Sequence, residues 1–172
     1  MGLPWKLLIL IVIVIAVLSQ LEVPQNKWIV SKTVTLKASV EDTYSFITSL
    51  DYVDKWFPFV SRVRDADGRP LSAGKKLYAV YDIPAYGEYQ MLYRVTEHKK
   101  GKQIVIEGDN LLLPRIEFTF VKMKEVLSKV TISISFRRLS YFYQYTIGPV
   151  LHFLVSQKLQ HSLFLLKSVF PY

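Results

Sequence analysis

From Trp28 to Arg137 the chain repeats one pattern: apolar and polar residues alternate in segment after segment. Beyond Gly148 the period lengthens to that of a helix. Successive side chains on a strand point to opposite faces, so alternation marks strands lying half-buried on a core. In the first segment, 28–38, Val34, Leu36 and Ala38 alternate with Thr33, Thr35 and Lys37. Further strands are expected over 59–64, 75–83, 86–97, 103–107, 115–122 and 130–137. The last is the most regular, with Ile132, Ile134 and Phe136 set against Thr131, Ser133 and Ser135. Short turns such as Asp65-Ala66-Asp67-Gly68 and Lys99-Lys100-Gly101 join neighbours, which argues for an antiparallel, strongly curved sheet.

Helical signals sit at both ends of this run. Ser39 can cap a helix over 42–50, and Asp42 three residues on can return the bond as in a capping box. Val40, Tyr44, Ile47 and Leu50 then share a face. Asp51 can cap a second short helix to about Phe57, and Pro58 ends it because the residue before proline avoids the helical region. Gly148-Pro149 reads as the start of a long helix, with proline in the first turn. Over 150–169, Leu151, Leu154, Val155, Leu159, Ser162, Leu166 and Val169 form one apolar stripe, and Pro171 closes the helix.

The N-terminus is different in kind. Leu7 to Leu18 is an unbroken run of twelve apolar residues, with Lys6 before it and Ser19-Gln20 after it. Two readings compete. Residues 3–21 make a single-pass membrane anchor if the polar ends snorkel. Alternatively the run is a signal segment cut near Val17-Leu18-Ser19, leaving a secreted domain. Lys27, Lys32 and Lys37 outnumber Lys6, a bias toward a cytosolic domain. The chain thus divides into 1–23 (anchor or signal), 24–28 (linker) and 29–172 (one domain).

The order is strand, two short helices, successive strands, long helix. The stretches Val34-Thr35-Leu36-Lys37-Ala38-Ser39-Val40-Glu41-Asp42-Thr43-Tyr44-Ser45-Phe46 and Asp51-Tyr52-Val53-Asp54-Lys55-Trp56-Phe57-Pro58-Phe59-Val60 follow that order. Residues 29–170 therefore resemble the helix-grip (SRPBCC) superfamily, which includes START domains, the polyketide cyclase/dehydrase group and plant Bet v 1-like proteins. The resemblance implies an α+β fold in which a curved antiparallel sheet of about six or seven strands grips the C-terminal helix around an apolar cavity. Candidate pocket residues are Trp56, Phe57, Tyr81, Met91, Tyr93, Phe118, Phe120, Ile134 and Phe136, with Leu151, His152, Val155 and Leu159 from the helix. Each can equally fill a core, and a one-residue slip in register would turn any strand over. The expected function is binding or transfer of a lipid or other small hydrophobic ligand at or near a membrane. The alternatives are a polyketide cyclase/dehydrase-like enzyme and a coenzyme-Q-binding protein, whose opening Tyr52–Val60 also resembles.

The chemistry-bearing residues are sparse. With no cysteine, disulfides, thiolate catalysis and Cys-based metal sites are excluded. Of three histidines, His98 falls in a basic turn and reads as a surface residue. His152 and His161 lie nine residues apart, about 180° around a helix, and cannot share a metal. Asp82, Glu88, Glu97, Glu107 and Glu117 give no evident pair on one face, and Glu117 alternates away from the aromatic row. No nucleophile elbow or phosphate loop occurs. Binding without chemistry, and without a cofactor or metal, is the expectation. The net charge of +8 comes with no nucleic-acid motif, so it reads as a solvated basic surface.

Overall fold

The computed structural model describes residues 5–83 and 87–170; Leu3, Pro84, Tyr86 and Pro171, which figure in the sequence reading, lie outside that range. The elements are α1 (Trp5–Gln20), β1 (Val30–Leu36), α2 (Val40–Thr48), a 3-10 turn (Leu50–Tyr52) and α3 (Val53–Trp56). Then come β2 (Arg62–Asp65), β3 (Lys76–Ile83), β4 (Gly87–Lys99), β5 (Gln103–Gly108), β6 (Pro114–Lys124) and β7 (Leu127–Phe136). A π-helical turn (Tyr143–Ile147) leads into α4 (Gly148–Val169).

The strands form one antiparallel sheet in the order β1-β7-β6-β5-β4-β3-β2. Consecutive strands from β2 to β7 pair as hairpins, while β1 closes the far edge on β7. The link from β1 to β2 must therefore cross the whole sheet, and α2 and α3 lie in that link. Bulges between Val95 and Glu97 and between Lys122 and Lys124 sharpen the curvature. Leu36, Val130, Ile132, Ile134, Phe118 and Ile104 line the concave side and are almost wholly buried. The alternation seen in the sequence thus becomes one apolar face.

Ser39 caps α2 as expected: its hydroxyl accepts from the Asp42 amide at 3.0 Å. The Asp42 carboxylate accepts from the Ser39 hydroxyl at 2.7 Å instead of reaching the backbone. The helix starts at Val40, two residues earlier than the periodicity suggested. Thr43 faces the sheet from α2, and its hydroxyl bonds that of Ser128 at 2.8 Å with both residues fully buried.

The C-terminal helix corrects the sequence reading. Gly148-Pro149 is not a start, because helical backbone already begins at Tyr141. The π-helical turn makes the difference. Gly148 donates to the Tyr143 carbonyl, so the next carbonyl, Gln144, faces Pro149, which has no N–H. The Trp28 indole N–H fills that vacancy at 2.5 Å. Its ring lies where a β-carbon on Gly148 would be, 2.3 Å from Trp28 Cδ1, so only glycine fits there. Leu154 and Val169, assigned to the buried stripe, are exposed; Val155, Leu159, Ser162 and Leu166 are buried.

The expected linker is tied down. Val23 donates to Leu139 O, Tyr141 to Leu21 O, and Glu22 bridges Ser140. Asn26 Nδ2 donates to Phe136 O at 2.7 Å, and Gln144 Nε2 to Asn26 Oδ1 at 3.2 Å. Residues 21–28 therefore fix the end of α1 against the start of the C-terminal helix. α1 itself is apolar on every side and buries no residue. Its 16 residues extend about 24 Å, against about 30 Å of bilayer hydrocarbon. Among the described residues no helix is long and apolar enough to cross a membrane.

Candidate ligand-binding cavity

Because α2 and α3 cross the concave face and the sheet curves away beneath them, the space between does not close. It holds a cavity of about 280 Å³. Its floor is the inward row of β3 to β7, including Leu77, Tyr81, Met91, Tyr93, Ile104, Ile106, Ile116 and Phe118. Its roof comes from α2 and α3 (Ile47, Val53, Trp56) and from the following chain, Phe57, Phe59, Val60 and Leu71. Among the described residues no charged side chain lines it. Ligand pockets typically run from about 300 to 1,000 Å³, so this one suits a small molecule.

Of the thirteen residues proposed from sequence, nine line the cavity: Trp56, Phe57, Tyr81, Met91, Tyr93, Phe118, Ile134, Phe136 and Val155. Four do not. Phe120 is buried further along β6, edge-on to Tyr44 at 5.3 Å. Leu159 is fully buried in the core, and Leu151 is half-buried outside the cavity. His152 packs on Trp28, with ring centroids 5.6 Å apart and its Nδ1 buried without a partner. The reason is common to the three helix residues: α4 packs along β1 and α3, at one side of the sheet, so only Val155 reaches the cavity. The sequence reading missed the roof and rim, namely Leu71, Asn110 and Leu112, which lie in loops without periodicity.

Among the described residues five side chains bring polar atoms to the lining: Thr48, Trp56, Tyr81, Tyr93 and Asn110. Tyr81 and Tyr93 hydroxyls bond each other at 2.9 Å. Burial raises the pKa of both, and most strongly that of Tyr93, where Tyr81 adds to the effect. They stay protonated at any ordinary pH. Gly108 pairs with Tyr93 across the β4–β5 ladder, and a β-carbon there would come within 3.1 Å of the Tyr93 ring. Pro114 Cγ would be closer still, at 2.9 Å, so the absence of a side chain at Gly108 leaves room for both.

Nothing in the lining resembles an acid–base apparatus. His98, expected at the surface, is half-buried and bonds the Tyr44 hydroxyl at 2.7 Å, outside the cavity. The carboxylates correct the sequence reading. Glu97, Glu107 and Glu117 do share a face, the outer one, gathered around Arg115 at 3.4, 2.7 and 3.9 Å, with Arg137 3.2 Å from Glu107. All three are ion-paired there, on the side away from the cavity. Among the described residues no group of three or more His, Asp or Glu could hold a metal.

One further device holds the rim. Lys75, nearly fully buried, bonds Asp65 at 2.7 Å, the Arg69 carbonyl, and lies 3.7 Å from Asp67. This clasp pins the loop carrying Leu71 over the cavity.

No protein-family model matches the sequence, and no curated protein matches it. Solved structures do match. A START superfamily protein from Mycobacterium smegmatis superposes with a TM-score of 0.64 at 19% identity, covering 83% of this chain and 96% of that one. The Zhui aromatase/cyclase from Streptomyces sp. R1128 gives 0.60 at 12% identity, covering 81% and 91%. The di-domain aromatase/cyclase StfQ of the steffimycin biosynthetic pathway gives 0.58 at 13% identity, covering 82% of this chain and 49% of that one. With its seven-stranded antiparallel sheet, crossing helices and long C-terminal helix, this chain has the helix-grip fold of the START and aromatase/cyclase structures.

Proposed function

We propose that the domain binds a small, neutral, hydrophobic ligand between its sheet and the helices that cross it, at a bilayer surface to which α1 holds it. The observation that carries the reading is a cavity of about 280 Å³ lined by apolar and aromatic groups and by no charge. An ionised ligand would lose its hydration there with no partner to replace it, which disfavours fatty-acid and phosphate groups inside. The likeness in fold to START and aromatase/cyclase proteins is consistent with a cavity used for binding. An acid–base enzyme is not favoured, since among the described residues no histidine or carboxylate reaches the lining. Titration with the neutral dye Nile red tests this. Saturable binding is expected for the native chain and its loss in Ile134→Trp, which fills the cavity from β7. Equal binding by both overturns the reading.

The bilayer half of the proposal rests on a different set of residues. α1 is apolar all round, and its end is fixed beside an exposed collar of Leu21, Ile29, Tyr141, Tyr145, Ile147, Val150, Phe153 and Leu154. Tyr141 and Tyr145 stack at 5.7 Å, and Lys27 lies over the Tyr145 ring. Tyrosines and lysines in that setting suit a membrane–water interface. No Asp or Glu occurs after Glu125, whereas Lys129, Arg137, Arg138, Lys158 and Lys167 do. That balance suits anionic lipid.

A further inference from the structure

The cavity's polar groups are unequal in kind. Of the two hydrogens on Tyr81 and Tyr93, their mutual bond uses one, leaving the other without an acceptor. Asn110 lines the same cavity, two residues beyond Gly108, the β5 residue that pairs with Tyr93. Its Oδ1 is taken by the Leu112 and Leu113 amides, both at 3.0 Å, which fixes the amide's orientation. Its Nδ2 has only the Met91 sulfur, at 2.9 Å, a weak acceptor. Trp56 adds an indole N–H buried with no partner. The Thr48 hydroxyl, by contrast, is spent on the Tyr44 carbonyl at 2.8 Å. The lining therefore holds surplus donors and no surplus charge.

The donors are also placed unevenly. Tyr93 pairs with Gly108 on β5, whereas Trp56 lies over Phe118, which pairs with Ile104. Four residues along a strand separate these positions, about 13 Å. Tyr81, Tyr93 and Asn110 thus form a donor-rich end, and the rest of the length is apolar apart from the indole.

Resting on the binding reading above, we infer that the ligand is a neutral carbonyl compound, a ketone, quinone or similar, whose oxygen accepts from the Tyr81–Tyr93 pair and Asn110 while its apolar body fills the remaining length. A carbonyl oxygen supplies acceptors and no donor, which is what the unpaired groups lack. The raised pKa of both tyrosines keeps their protons available.

The test is calorimetric titration of the native chain with 2-acetylnaphthalene, 2-ethylnaphthalene and 2-naphthoate, which differ at one substituent. About tenfold tighter binding of the ketone than of the hydrocarbon is expected, the worth of one or two buried hydrogen bonds. Naphthoate is expected to bind weakest. The ratio should fall toward one in Tyr81→Phe/Tyr93→Phe, which removes both hydroxyls and orphans neither. In Asn110→Asp, which keeps the loop's acceptor but loses the amide donor, it should fall several-fold. Equal binding of ketone and hydrocarbon by the native chain overturns the carbonyl inference and leaves the binding reading standing. Naphthoate binding as tightly as the ketone overturns it too. Failure of all three to bind overturns both.

Discussion

Thr43 and Ser128 illustrate how single residues hold this fold. Their hydroxyls meet at 2.8 Å where α2 packs on β7, with no water access to either. Thr43→Val leaves the Ser128 hydroxyl unpaired and should lower stability by about 1–3 kcal/mol, whereas Thr43→Val/Ser128→Ala should recover most of the loss. Urea denaturation of the set checks this, and an equal loss in both variants would refute the pairing. Gly148→Ala drives a methyl into the Trp28 ring and should be destabilising by about 1–3 kcal/mol, with a shift in tryptophan fluorescence. The sequence suggested a helix start at Gly148. What fixes the residue is an indole from the far end of the domain, and no local pattern encodes a partner so distant.

At the scale of elements, legibility followed periodicity. β7 and β6 were readable because alternation persists through them, and α2 because Ser39 and Asp42 mark its start. The edge strand β2 begins at Arg62, three residues later than Phe59 suggested, because Phe59 and Val60 turn into the cavity roof before pairing begins. The outer-face carboxylates were missed because Glu97, Glu107 and Glu117 come together only through register, with a bulge after Val95 adding a shift. The Lys75 clasp was also invisible, since a lysine in a loop gives no sign of burial. It makes a pH prediction. Hydrogen bonds from Lys75 and from the Asp67 amide hold Asp65 at a pKa of about 2, below its ordinary value. A depressed carboxylate stabilises the fold above its unfolded pKa, and the contribution is lost as pH falls through about 2. The loop of residues 65–75 should thus loosen between about pH 4 and pH 2, read as line broadening of the Leu71 methyls. In Lys75→Met the loop should already be loose at pH 7. A loop equally rigid at pH 7 and pH 2 would contradict the clasp.

Over the whole molecule, the sheet order explains why a cavity exists at all. β1 and β2 occupy opposite edges, so the chain between them must bridge the concave face, and two short helices bridge it without filling it. The sequence carried the inward row of the sheet, which is why nine of its thirteen proposed residues line the cavity. It did not carry the position of α4, because an apolar stripe says which face is buried and not against which strand. The exposed apolar helix α1 makes a separate prediction. The full chain should float with vesicles of mixed neutral and anionic phospholipid, and Ile9→Asp/Ile13→Asp should weaken that at least tenfold. Unchanged flotation of the variant would remove α1 from the contact.

The central claim, that this cavity is where a ligand sits, is tested most directly by methyl NMR during titration with 2-acetylnaphthalene. Saturating shifts are predicted for Ile106, Ile116, Ile134 and Leu77, which line the cavity, with none at Val121 or Val126 on the surface. Binding that saturates while those four signals stay fixed, or that moves only the methyls of α1 and the exposed collar, would contradict it.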